Sequence, residues 1–441
     1  MNSQEMIDLC KKHTMWSWSA GDNVAPIAYE RAEGIFFYTP DGKRYFDWNS
    51  QLMSVLIGHS HPKVIARMKK ALDGLIFAHP AAATAVRGRV AQKLAKLVPG
   101  DINTFFFTLG GAEANENAIK AARLFTGRNK ILSRYRSYHG ATHGAMMMTG
   151  DPRRLANEPG APGFIKVMDP EPYEYSFGKT DEEKTEANLR YLEEVIRYEG
   201  QERIAAMFVE SVTGTNGILA PPKGYLKGLK ELLSKYGILL VCDEVMCGFG
   251  RTGKMFGFEH AGIVPDIVTM AKGLTSSYVP LGAMGVSDRI ADHFRKNVFW
   301  GGLTYNAHPF ALETADAVID TLIEEDMCGN AARLEPVMNA ELEKIRAKHP
   351  SVRTHRNIGL FGLIELQKDK AGTPMAPYGG SHPVIPKFAK ALQDAGLWTV
   401  INWWNVMNNP PLCITADQLK EGFAIVDKAL AVTDEVVAAA G

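Results

Sequence analysis

The chain has 441 residues, beyond the roughly 250–300 at which a single core stops growing, so one large core and a second, smaller domain are expected. Its 49 Lys and Arg balance 49 Asp and Glu, which leaves no general positive field for a nucleic-acid backbone or an anionic membrane and argues against both as partners. Five scattered cysteines (Cys10, Cys242, Cys247, Cys328, Cys413), no secretory leader pattern and no run of about 18 apolar residues predict a cytoplasmic enzyme with free thiols. In chain order, residues 1–55 read as a short helix followed by strand-like pieces at Gly34–Tyr38 and Arg44–Asp47 around the turn Asp41-Gly42. Helical periodicity follows at His61–Asp73 and Thr84–Leu97, then a short apolar strand at Thr104–Thr108 and a helix at Glu113–Phe125 opened by two glycines. A strand at Lys130–Leu132 precedes a loop at Gly150–Pro162. The runs Ile204–Val209, Ile238–Cys242 and Ile267–Met270 are short, branched and separated by helical stretches such as Leu226–Lys235. This alternation predicts an α/β fold: a wound, mostly parallel sheet buried on both faces. Beyond about residue 320, helices at Ala332–Lys348 and Pro383–Ala395 with strand-like pieces at Gly359–Glu365 and Trp398–Ile401 predict a smaller α+β domain. The expected divisions are therefore 1–55, an amino-terminal part of the small domain; 56–320, the large domain; and 321–441, the carboxy-terminal small domain.

Chemistry concentrates between Gly237 and Lys272. The strand Ile238–Cys242 delivers Asp243 and Glu244 at its carboxyl end, where open α/β sheets place ligands. The strand Ile267–Met270 delivers Lys272 in the same way. Burial lowers a lysine's pKa towards a nucleophilic amine, which Schiff-base chemistry needs, and an aspartate beside a pyridine nitrogen keeps that ring protonated as an electron sink. The bland alternative makes Asp243 a turn cap and lets Lys272 reach solvent. Thr108–Asn115 joins a strand to a helix through Gly110 and Gly111, so free N–H groups and the helix dipole point at an anion such as phosphate. Tyr138, in Ser137-Tyr138-His139-Gly140, offers a ring to stack on a planar ligand. His139 and His143 lack a third ligand, so no metal site is expected. Gly248–Gly253 spells G-x-G-x-x-G, but no helix is predicted after it, and a rigid loop is expected instead of a dinucleotide site.

Taken together, Asp243-Glu244-Val245, Gly248–Gly253, Ala271-Lys272-Gly273, Tyr138-His139-Gly140 and Gly302-Leu303-Thr304-Tyr305 resemble the class III (ω-amino-acid) aminotransferases of pyridoxal-phosphate fold type I, over nearly the whole chain. The resemblance implies pyridoxal 5'-phosphate as cofactor, with Lys272 holding it as a Schiff base and Asp243 at the pyridine nitrogen. It also implies Val245 and Tyr138 on the two ring faces, with His139 and Glu210 close by. Gly111 and Ala112 would give N–H groups to the phosphate, and Thr304 would reach the phosphate of the partner subunit in a homodimer, or in a tetramer built from it. Ala112 stands where a hydroxyl residue is common in the family, which removes one side-chain phosphate contact.

Within that family, Met15–Ser19 and Ser133–Tyr138 look most like the taurine and ω-amine transaminases. Ornithine- and GABA-type members carry an arginine before a double proline and a glutamate that masks it; Met407 and Thr215 occupy those places here, and no arginine follows Arg356. An acid group on the substrate must then be met elsewhere. Trp18, Met53 and Arg136 are the candidate substrate contacts, with Arg134 as another arginine to consider and a surface ion pair as the plain alternative for either arginine. The expected reaction moves an amino group from an ω-amine such as taurine or β-alanine to pyruvate or 2-oxoglutarate. An aminomutase or a decarboxylase on the same scaffold is the alternative.

Overall fold

The structure, a computed structural model, describes residues 1–440. It separates into two compact units, one of Met1–Pro62 with the chain from Arg333 onward and one of Lys63–Ala332.

The larger unit is built on a seven-stranded sheet of β1 (Ile102–Thr108), β2 (Lys130–Arg134), β3 (Phe164–Val167), β4 (Ile204–Glu210), β5 (Leu239–Asp243), β6 (Ile267–Met270) and β7 (Gly282–Ser287). Their order across the sheet is β1-β7-β6-β5-β4-β2-β3. Only β7 runs against its neighbours, pairing antiparallel with both β1 and β6; the other pairings are parallel. Every residue of β4 to β7 is buried, the behaviour of strands covered by helices on both faces, which is why these runs are continuously apolar and not alternating. The helix Gly111–Thr126 packs on β1, β4, β6 and β7. Its buried face is mostly alanine (Ala114, Ala118, Ala121, Ala122), which lets helix and sheet approach closely, and Gly127 ends it in the left-handed conformation at φ 67°.

Because β7 alone is reversed, the carboxyl ends of the six other strands and the beginning of β7 share one edge of the sheet. Every chemistry-bearing segment named from the sequence in this unit, from Gly110 to Lys272, follows one of those strand ends. The expected elements lie within a few residues of the observed ones. The loop at Gly150–Pro162 contains a 3-10 turn at Pro152–Asn157, while Gly248–Gly253 is a succession of turns.

The smaller unit holds two four-stranded sheets. In one, Leu397–Trp398 runs parallel to Arg44–Asp47, which pairs through Phe36–Tyr38 to Arg31–Glu33. In the other, Val352–Ile358, Phe361–Leu366, Asn405–Asn408 and Ile401–Asn402 are antiparallel throughout. The single strand expected at Trp398–Ile401 is thus two short strands that enter different sheets. Among the described residues no helix is long and apolar enough to cross a membrane.

Candidate active site

Asp243 ends β5, and register sets its neighbours: Glu210 of β4 on one side and Thr269 of β6 on the other. The carboxylate is fixed by three donors. Oδ2 accepts from Asn115 Nδ2 and pairs with His139 Nδ1, both at 2.8 Å, while Oδ1 accepts from the Val245 N–H at 3.1 Å. Glu210 does a different job. It accepts from the N–H groups of Tyr138 (3.0 Å) and Gly214 (2.8 Å), so it ties the Tyr138 loop to the sheet, and burial pushes its carboxyl up. Glu244, the next residue after Asp243, faces elsewhere: it accepts from Ser211 Oγ and from the N–H groups of Gly257 (2.7 Å) and Phe258 (3.1 Å), anchoring the far end of the glycine-rich turns.

Asp243 shares a cavity of about 370 Å³ with Lys272, Tyr138, His139, Val245, Glu210 and the turn Leu109–Ala112. Lys272 follows β6 at φ 34°, in the left-handed region that a non-glycine residue enters only at a cost of order 1 kcal/mol. Burial pushes its amine below the usual lysine range; Asp243 and Glu210 oppose that push and Arg153 adds to it. At the other end of the cavity, Gly111 and Ala112 open the helix Gly111–Thr126, in whose first turn the N–H groups have no helical acceptor. Glu113 reaches back to the Leu109 N–H at 2.8 Å and so closes that turn. A Cβ on Gly111 would come within 2.7 Å of the Val245 side chain, so only glycine allows the turn to lie against Val245.

An amine of lowered basicity, a carboxylate fixed by three donors and an anion-binding turn thus converge on one cavity. The family model for class-III aminotransferases matches residues 18–430. The chain belongs to the class-III aminotransferases. The aminotransferase is 42% identical to the taurine:2-oxoglutarate aminotransferase of Bifidobacterium kashiwanohense, solved with pyridoxal phosphate and glutamate, with a TM-score of 0.95 over 99% of each chain. It is 36% identical to an (S)-enantioselective ω-transaminase from Thermomicrobium roseum, with a TM-score of 0.93 over 98% of this chain and 99% of that one. A mitochondrial γ-aminobutyrate transaminase of Oryza sativa subsp. japonica is 32% identical over 96% of this chain and 84% of its own. The fold is therefore that of the fold type I pyridoxal-phosphate transferases, and the aminotransferase is pyridoxal-phosphate dependent. The residues present fit that cofactor: open N–H groups at a helix start suit a phosphate, and an aspartate anchored mainly through one oxygen suits a pyridinium nitrogen.

The arginines correct the sequence reading. Arg136 does not line the cavity of the aminotransferase; it is buried, donating to the carbonyls of Glu171 (2.9 Å) and Asn216 (2.7 Å) and lying 3.8 Å over the Tyr173 ring. Arg134 is buried as well, donating to the Glu210 carbonyl at 2.7 Å. Neither is a surface ion pair: Arg134, the last residue of β2, pairs with the buried Asp169 at 3.6 Å, and Arg136, two residues on, is turned inward onto carbonyls. Among the described residues no arginine lines the cavity, but Arg153, from the Pro152–Asn157 turn, stacks on one of its residues: the guanidinium sits 3.7 Å over the Tyr138 ring, pairs with the buried Asp151 and donates to Thr215 Oγ1 at 3.1 Å. Sequence reasoning missed it, since nothing in the Asp151-Pro152-Arg153-Arg154 run indicates which arginine turns towards Tyr138.

Asn115 and Thr269 were missed too, although an asparagine on the buried face of an alanine-rich helix was a visible signal. Thr304 is exposed and does not line this chain's cavity. Trp18 and Met53 belong to the smaller unit, Trp18 being exposed and Met53 buried.

Proposed function

We propose that this aminotransferase is a homodimer that takes the amino group from an ω-amine carrying a remote acid group, with taurine or β-alanine as the type, and passes it to pyruvate or 2-oxoglutarate. The observation that carries the donor class is Arg153 stacked over Tyr138 at the cavity, with Thr215 beside it where a masking glutamate stands in other members. A guanidinium suits a sulfonate or carboxylate, which would share it with Asp151, the partner of its Nε and Nη2. The likeness to a taurine:2-oxoglutarate aminotransferase supports the same class.

In this reading pyridoxal phosphate, when bound, supplies the electron sink for the carbon that carries the amine. Asp243 holds the proton on the pyridine nitrogen. Lys272 would bind the cofactor covalently and, once displaced from it by the substrate amine, would be free to move a proton to and from the substrate carbon, for which its lowered basicity is suited. Val245 and Tyr138 confine the ring, the N–H groups of Gly111 and Ala112 hold the phosphate, and Thr304 completes the phosphate site of the neighbouring subunit. His139 orients Asp243 through Nδ1, and Glu210 holds the Tyr138 loop. Trp18 and Met53 are retained as proposed substrate contacts.

A screen of amine donors against both keto acids tests this. Taurine or β-alanine should turn over only with a keto acid present, and faster than glutamate as donor. Glutamate outperforming every ω-amine overturns the donor class; turnover without a keto acid points to an aminomutase or a decarboxylase.

A further inference from the structure

Asparagine is a poor residue for a helix interior, and a buried amide is costly unless each polar atom finds a partner. Asn115 is fully buried in the helix Gly111–Thr126, on a face otherwise made largely of alanine. Its amide is wholly used. Nδ2 donates to Asp243 Oδ2 and to the His139 carbonyl, both at 2.8 Å, and Oδ1 accepts from Thr269 Oγ1 at 2.8 Å. One side chain therefore joins four pieces of the site: the helix whose start forms the anion-binding turn, the end of β5, the end of β6 and the Tyr138-His139 loop.

The polarity of the amide is set by Asp243 and the His139 carbonyl, which can only accept, so Nδ2 must face them; Oδ1 then faces β6, where the Thr269 hydroxyl donates to it. With the Asn115 N–H and His139 Nδ1 both on Oδ2, the other oxygen keeps a single partner, the Val245 N–H. Two donors on one oxygen fix the carboxylate plane.

We infer that Asn115 is a positioning residue that acts through Asp243, holding its carboxylate correctly turned, with Thr269 anchoring the amide through its oxygen. This rests on Asp243 being the partner of the cofactor's ring nitrogen.

The test uses the holoenzyme in four variants: Asn115→Ala, Thr269→Val, Asp243→Asn and, as a control, Asn117→Ala, whose buried amide donates within the same helix to the Glu113 carbonyl. Three quantities are read: the pH titration of the bound cofactor's absorption, the cofactor's dissociation constant, and kcat separately from the donor KM. Asn115→Ala should move the absorption midpoint upward, because a less firmly protonated ring withdraws less charge from the group joined to Lys272. It should lower kcat about tenfold or more while KM stays within about twofold. Thr269→Val should shift both in the same direction by less, and it carries the test if Asn115→Ala does not fold. Asn117→Ala should leave the midpoint in place. An unmoved midpoint in Asn115→Ala, or in Thr269→Val if that variant stands alone, with Asp243→Asn strongly impaired, overturns the inference about Asn115. Asp243→Asn at wild-type turnover overturns instead the reading of Asp243 on which it rests.

Discussion

The two ends of the cavity are built in opposite ways. At the Asp243 end each group sits at or near a strand terminus, its place set by backbone register: Glu210, Asp243 and Thr269 are cross-strand neighbours, with Asn115 fixed by the helix that packs on them. At the Tyr138 end the charge comes from a long side chain on a short 3-10 turn, and its place is set by Asp151, Thr215 and the Tyr138 ring. The first end is held by ladder hydrogen bonds. The second depends on which of several arginines is turned inward onto carbonyls and which stacks on Tyr138. Chemistry common to the family would belong to the rigid end, and substrate preference to the adjustable one.

The sharpest way to break this division is at Lys272. Lys272→Ala should lose covalent retention of cofactor after borohydride treatment and lower turnover by about 10³-fold or more, since tether and proton carrier vanish together. Covalent fixation persisting in the variant would remove the assignment.

Arg153 tests the other end. Arg153→Gln should raise the KM for taurine or β-alanine about tenfold or more and leave that of an uncharged primary amine within about twofold. Arg136→Gln should act differently, lowering the melting temperature with no preference between the two donors, because its partners are carbonyls and a ring. If the two variants behave alike, the two ends of the cavity do not differ as described.

A smaller effect concerns Thr304. Mixing Lys272→Ala chains with Thr304→Ala chains yields heterodimers in which one composite site carries both lesions and the other neither, so activity should exceed the mean of the two parents. No gain, with subunit exchange verified by mass, would place Thr304 outside the phosphate site.

The smallest effect is on stability. Burial holds the Lys272 amine below its ordinary 10.5. Between the lowered value and 10.5 the unfolded chain keeps a proton that the native chain has released, so stability of the cofactor-free protein rises with pH across that window. Below the window the native state bears the full cost of burying a charge. Lys272→Met should therefore melt above wild type at low pH, with the gap closing towards alkaline pH. Parallel melting curves would show that the burial of this amine is not felt.

The unbroken apolar runs before Asp243 and Lys272 were enough to announce a buried, mostly parallel sheet with both residues at its carboxyl edge, and the paired glycines marked the turn that opens the helix Gly111–Thr126. Local sequence decides these features, because a strand buried on both faces must be apolar throughout and a turn against Val245 admits no Cβ. The family resemblance, too, rested on residues close together in the chain. The division of Trp398–Ile401 between two sheets was not legible, since Leu397–Trp398 pairs with Phe46 and Asp47, hundreds of residues away, while Ile401–Asn402 folds back on Asn405 and Val406 nearby. Nor was the partnership of Asn115 with Asp243 and Thr269, or the stacking of Arg153 on Tyr138. Those depend on which donors and acceptors folding brings within about 3 Å of a long or amide side chain, and only the tertiary structure settles that competition.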